Sequence, residues 1–191
     1  MGKERLEAFS DGVFAVIITI MVLELKVPQG SNLAALRPVI PVFLSYALSF
    51  VFVAIYWNNH HHMLQAAKKV NGAVLWANLH LLFWLSFVPF ITVWMGENHR
   101  VTVPVALYGS ILFLSGLAYY ILSRALIAVN GRDSALAIAV GKDFKGILSL
   151  VIYAVAIASS FVHTWISIAL YISVAVMWFI PDPRIEHVIA E

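Results

Sequence analysis

The sequence contains no cysteine, which excludes a disulfide framework, a thiol nucleophile and a thiolate metal site. Charge is also scarce. Asp, Glu, Lys and Arg make up 12% of the 191 residues, where a soluble domain carries about 25%, too few to cover a folded exterior in water. The net charge of +2 offers nothing to a phosphate backbone, so no nucleic-acid partner is expected. Internal repeats and low-complexity tracts are missing. What is abundant is apolar side chain, 62% of the residues, which identifies an integral membrane protein with lipid as its partner. At ~20 apolar residues per crossing the chain holds about six helices, and residues 1–191 are expected to form a single all-α transmembrane domain.

Gaps between charged residues mark the crossings, because a charge at the bilayer centre costs ~2.5–3.5 kcal/mol on insertion scales. No Asp, Glu, Lys or Arg lies between Arg37 and Lys68, between Lys69 and Glu97, or between Arg100 and Arg124. The predicted cores are Pro38 to Trp57, Ala73 to Met95 and Val101 to Ser123. A fourth gap, Lys145 to Asp182, is too long for one helix and is split near Phe161 to Trp165, where Ser159, Ser160, His163 and Thr164 make a polar pause. Asn130 to Asp133 reads as a turn, and Lys142 to Lys145 opens the fifth helix. The first crossing has only Gly12 to Leu23 between Asp11 and Glu24. It is expected to be retained, since no small-residue cleavage site follows it, and Leu6 occupies the position where myristoylation needs Ser or Thr.

Six crossings place both termini on one side. That side then holds Lys3, Arg5, Lys68, Lys69, Arg124, Arg132, Lys142, Lys145 and Arg184, against Lys26, Arg37 and Arg100 on the other. The bias makes the first side cytoplasmic and favours six crossings over five. A multi-pass protein of the cell (inner or plasma) membrane is expected.

The first helix carries the most information. Arg5 and Asp11 are about 600° of helical rotation apart, so each needs its own partner, either in the headgroup region or in a bundle interior. Val16, Ile20 and Leu23 share one stripe, with Thr19 beside it and Gly12 one turn earlier. Such a stripe touches lipid or a neighbouring helix; repeated around a symmetry axis, it becomes stacked aliphatic rings that gate a pore by dewetting. A carbonyl-lined filter is excluded, because no Thr-Val-Gly-Tyr-Gly occurs and Tyr108-Gly109 is not part of one. Glu24 is either a snorkelling interfacial charge or one unit of a carboxylate ring that concentrates cations at the pore mouth.

Other constellations point to packing. Asn58-Asn59-His60-His61-His62 invites a metal reading, but adjacent helical residues diverge by about 100° and no carboxylate lies within a turn, so no metal site is expected. These histidines suit interfacial hydrogen bonds. His80 and His163 read as interhelical donors. Trp57, Trp76, Trp84, Trp94, Trp165 and Trp178 sit mostly near predicted helix ends, as an aromatic belt does. Gly109, Ser110, Ser115 and Gly116 allow close packing of the fourth helix.

Arg5 followed by Phe9-Ser10-Asp11 resembles the signature of the prokaryotic branch of the transmembrane protein 175 family of potassium channels. Tyr56 to His62 and Val70 to Leu79 also look like that family, and the similarity extends over essentially the whole chain. The resemblance implies a six-helix subunit in a homotetramer, with the first helices lining the pore; vertebrate relatives carry two such repeats and dimerise. It implies a constriction at Val16, where similar members carry Ile or Leu, with Ile20 and Leu23 as further rings and Thr19 as the polar position. It implies that Arg5, Phe9, Ser10 and Asp11 tie the pore helix to the second and third helices, with His60, His61, His62, Asn58, Trp76 and Asn78 as partners. The expected function is a potassium-preferring cation channel with no cofactor, its small ligands being permeant potassium and other monovalent cations. A secondary transporter or proton-coupled carrier is the alternative and calls for broken helices and a buried midplane acid. An enzyme is not expected, since no Ser–His pair or paired carboxylates stand in credible spacing.

Overall fold

The computed structural model describes residues 2–141 and 143–179. Lys142 and Arg184, two of the basic residues in the topology argument, and Asp182, which closes the last uncharged gap, lie outside the described residues. The described chain is helical throughout: α1 (Lys3–Leu23), a 3₁₀ turn (Leu33–Val39), α2 (Ile40–Ala66), α3 (Gly72–Leu85), α4 (Val88–Glu97), α5 (Thr102–Asn130), α6 (Ala135–Val140), α7 (Phe144–Ser159) and α8 (Thr164–Phe179). Four helical stretches, 3–23, 33–66, 72–97 and 102–130, are long and apolar enough to cross a membrane. The remaining apolar helices, α7 and α8, have 16 residues each, about 24 Å at ~1.5 Å per residue, against a hydrocarbon core of ~30 Å.

The predicted third crossing is two helices. Pro89 has no N–H to offer Leu85, and its ring crowds that carbonyl, so the helix stops at Leu85, turns through Ser86 and Phe87, and resumes with Pro89 in its first turn. The Ser86 hydroxyl closes the turn on the Phe83 carbonyl at 2.7 Å. The long uncharged run breaks at residues 160–163, where Ser, Phe, Val and His make the turn with neither Gly nor Pro. Ser167 Oγ locks that hairpin by donating to the Ala156 carbonyl at 2.7 Å. α7 starts at Phe144 under an Asp143 N-cap, and the short α6 inside the preceding loop was not expected.

Side-chain bonds sort the loops into two ends. Lys3 Nζ donates to the Gln65 carbonyl, and Asn130 Oδ1 accepts from the N–H groups of Lys68 and Lys69 at 2.8 and 2.9 Å, so the chain start, loop 67–71 and the end of α5 lie together. Lys26 binds Glu97 at 2.6 Å, which places loop 24–39 beside the end of α4 at the opposite end.

Apolar burial gives little association free energy between helices in lipid, so packing rests on close approach and hydrogen bonds. α5 runs through the centre, against α3, α4, α7 and α8. Its Gly109 lies under Tyr171 and Ile157, and its Gly116 under Leu150 and Tyr56. A buried hydroxyl chain, Thr92 to Ser49 at 2.7 Å and Ser49 to Tyr108 at 2.9 Å, joins α4, α2 and α5.

Candidate functional site: the first helix and its anchors

α1 lies at the margin of the bundle and packs on α2, α3 and α4. Its buried residues are Leu6, Ser10, Phe14, Ile17 and Met21, a single stripe at spacings of three and four. The opposite stripe, Arg5, Phe9, Gly12, Val16, Ile20 and Leu23, is solvent-accessible along its whole length. Val16 is 56% exposed, Ile20 41% and Leu23 76%, and a Cβ added at Gly12 would meet nothing within 4 Å. α1 therefore carries an unpartnered face that begins with a guanidinium and continues as aliphatic side chains.

The buried side of α1 is held by two polar chains near its start. In the first, the Ser10 hydroxyl donates to the Leu6 carbonyl at 2.8 Å, so its oxygen is left to accept from Asn78 Nδ2 at 3.0 Å. That directs Asn78 Oδ1 at His60 Nε2, 2.7 Å away, and makes His60 the donor. Ser10 and Asn78 have no solvent exposure and His60 has 1%, so no water can replace a lost partner. The His60 ring also stands 5.6 Å from the Phe14 ring. In the second chain Trp57 Nε1–H donates to the Asp11 carboxylate at 2.9 Å, and its indole stacks on His61 at 5.8 Å and 22°. The two chains fasten α1 to α3 through Ser10 and to α2 through Asp11.

Of the predicted partners, the structure thus brings Ser10, Asn78 and His60 together, and His61 to Asp11 through Trp57. The other expected partners fall elsewhere. Among the described residues the Arg5 guanidinium makes no hydrogen bond or ion pair, Phe9 and Asn58 are exposed, and Trp76 is 75% exposed. His62 stands edge-on to His61, and among the described residues its buried Nδ1 has no partner. Helical geometry explains the difference, because Asn58 and His62 are rotated from the Trp57–His61 line by about 100° each. Trp57 as the Asp11 donor was missed, although its i, i+4 relation to His61 was the available signal.

Toward the other end, the Thr19 hydroxyl donates to the Ala15 carbonyl at 2.8 Å, which turns its lone pairs outward on the accessible side. Glu24 terminates α1, its N–H bonding the Ile20 carbonyl, and its side chain is exposed. Lys26 pairs with Glu97, and this partner raises its ammonium above the usual lysine range. His80 accepts from Trp84 Nε1 within the same helix at 2.9 Å, so it serves α3 and no other helix. Among the described residues no three His, Asp or Glu side chains are gathered about a common point.

The family model for the endosomal/lysosomal potassium channel TMEM175 matches residues 5–89, which contain α1 from Arg5 onward and the residues Ser10, Asp11, Trp57, His60 and Asn78 that anchor it. A potassium channel of Chryseobacterium sp. (strain P1-3) is 54% identical over 191 residues, the whole of both chains. The endosomal/lysosomal proton channel TMEM175 of Homo sapiens is 35% identical over 101 residues, covering 47% of this chain and 20% of the human one. Among solved structures, the crystal structure of a lysosomal potassium-selective channel TMEM175 homolog from Chamaesiphon minutus superposes with a TM-score of 0.79 at 30% identity, over 92% of this chain and 95% of that one.

Proposed function

The chain belongs to the TMEM175 channel family, and from that premise we propose that it is a potassium-preferring cation channel whose pore is lined by α1 from each subunit of a homotetramer. The observation that carries this reading is the unpartnered stripe of α1, opposite a polar-anchored face. Repeated about a symmetry axis, Val16, Ile20 and Leu23 become three aliphatic rings that dewet when narrow and pass ions when wide. Val16 has one methylene less than Leu or Ile and makes the wider ring, so Ile20 or Leu23 takes over the constriction. Thr19, with its proton committed to Ala15 and its lone pairs outward, is the acceptor that meets a partly dehydrated cation. Glu24 stands at the mouth and raises the local cation concentration before the neutral rings.

Ser10, Asp11, Trp57, His60 and Asn78 position α1 and do not touch the ion. Arg5, Phe9 and Trp76, exposed in the single subunit, face the next one. In this reading the subunit crosses the cell membrane six times, with the end bearing Lys3, Arg5, Lys68 and Lys69 cytoplasmic, and potassium is the permeant ion, with no cofactor. α1 is unbroken from Lys3 to Leu23 and offers no unwound midplane site of the carrier kind. The break at Ser86–Phe87 is flanked by Phe83 and Phe90 with no acid in the turn.

The test is flux in liposomes, potassium against sodium, for wild type, Val16→Ala and Ile20→Ala. Ile20→Ala is expected to raise flux and lower the preference for potassium, with a smaller effect at Val16. Slow flux that saturates with concentration and is indifferent to both substitutions would contradict the channel reading.

A further inference from the structure

The end of the bundle away from the chain start carries a polar feature that the α1 stripe does not use. Loop 98–101 meets turn 160–163 around an open cleft of about 360 Å³. Arg100 and Thr102 line one wall, and Ser160, His163, Thr164 and Trp165 line the other. Two helices start there, α5 at Thr102 and α8 at Thr164. No side chain caps α5, and the N–H groups of Thr102, Val103, Thr164 and Trp165 find no backbone acceptor among the described residues. Free N–H groups at a helix start carry about half a positive charge. Arg100 adds a full one, forms no ion pair among the described residues, and shares the cleft with no Asp or Glu.

Thr164 is the independent observation. It is 8% exposed, yet its hydroxyl makes no hydrogen bond to any described residue, whereas neighbouring Ser160 is satisfied by the Ile157 carbonyl at 2.7 Å. The Thr164 oxygen keeps some accessible surface, and Thr164 lines the cleft. The hydroxyl is therefore free to bond a group held in the cleft, whose lining carries a positive charge at Arg100 and no Asp or Glu. That combination suits an anion with several acceptor oxygens.

We propose that the cleft binds a phosphate oxyanion, supplied by a phospholipid headgroup of the adjoining leaflet. Arg100 would grip two of its oxygens, with the Thr102 and Thr164 hydroxyls and the helix-start N–H groups on the others. The neighbouring surface favours the lipid over a free ion. Trp165 is half exposed and stands edge-on to His99 at 5.7 Å, and Phe161 and Val162 project from the tip of the turn. An exposed indole beside an apolar tip marks the headgroup boundary, where lipid phosphates lie.

Thermal melting of the full-length protein in a neutral detergent, followed by tryptophan fluorescence, tests this with three additives. They are dihexanoyl phosphatidylglycerol, dihexanoylglycerol with the same tails and no phosphate, and inorganic phosphate. The phospholipid is expected to raise the midpoint of wild type and of Arg132→Gln, a charge change at the other end. Arg100→Gln and Thr164→Val should need at least tenfold more of it for the same rise. Equal stabilisation by inorganic phosphate would overturn the lipid source. A wild-type response of Arg100→Gln, or an equal effect of dihexanoylglycerol, would overturn the site itself. If Thr164→Val does not fold, Arg100→Gln, exposed in the structure, decides alone.

Discussion

Replacing Asn78 by Leu removes the hub of the first anchor chain without changing the volume of the site much. Ser10 stays satisfied, because its hydroxyl still donates to the Leu6 carbonyl, but the His60 Nε2–H loses its acceptor in a place with 1% exposure. An orphaned buried donor costs ~1–3 kcal/mol, while interhelical hydrogen bonds in membrane proteins average ~0.6 and reach ~1.7 kcal/mol. Because water cannot reach His60, the upper part of the membrane range applies, about 1–2 kcal/mol. For a chain of this size each kcal/mol moves the midpoint by ~2–4 °C, so melting should fall by roughly 2–8 °C. Ser10→Ala leaves one Asn78 N–H unpaired and should cost less, about 1 kcal/mol. The double variant should be less destabilised than the sum, by about the ~0.6 kcal/mol of the shared bond. Tryptophan fluorescence in detergent reads the stability, and potassium flux in liposomes reads the position of α1, which should fall with it. Melting within 1 °C of wild type and unchanged flux for Asn78→Leu would refute the claim that this chain holds α1.

Other substitutions separate the remaining contacts. Asp11→Ala breaks the bond from Trp57, but the pair is solvent-accessible, so melting should drop less than for Asn78→Leu while flux still falls; equal drops would show that exposure does not discount the pair. Gly109→Ala drives a methyl into the Tyr171 hydroxyl and should cost ~1–3 kcal/mol in melting experiments. Adding Tyr171→Phe should recover part of that, limited by the Val105 carbonyl that Tyr171 now serves at 3.0 Å. Asp143 caps α7 through the Gly146 N–H in the left-handed region, at φ 44°, and burial raises its carboxyl above the usual range. A raised folded-state value means that the folded state binds the proton more tightly, so Asp143 weakens stability as pH rises through the two values. Asp143→Asn keeps the cap and tolerates positive φ, so at pH 7 it should melt at or above wild type, whereas Asp143→Ala should lose ~1 kcal/mol or more.

Much of this arrangement is written in where charge is absent. The three long uncharged runs became α2, the α3–α4 pair and α5, and the polar pause at Ser159 to Thr164 became the turn between α7 and α8. Pro89 lies inside the run expected to form one helix from Ala73 to Met95, and it divides that helix because a proline within a crossing removes a bond that lipid cannot replace. α6 escaped notice, since a six-residue helix has too few turns to show a period. The α1 stripe was legible from spacing alone. Its anchors were legible only as a neighbourhood: which of Trp57, Asn58, His60, His61 and His62 meets α1 depends on the rotation of α2 about its axis, and α2 is apolar around most of its circumference. Trp57 and His60 won those places, and Asn58 and His62 did not. The phosphate-favouring cleft joins Arg100 to Thr164 across distant parts of the chain, a pairing that no local pattern reports.

The absence of cysteine makes one experiment unusually clean, because a single introduced thiol is the only one present. Ile20→Cys in liposomes, treated with a cationic methanethiosulfonate reagent, should be modified and should lose most of its potassium flux, with recovery on reduction. Val151→Cys, on the exposed face of α7, should leave flux unchanged under the same treatment. An Ile20→Cys protein that resists modification while conducting, or that is fully modified and conducts as before, would show that the exposed stripe of α1 does not line the pore.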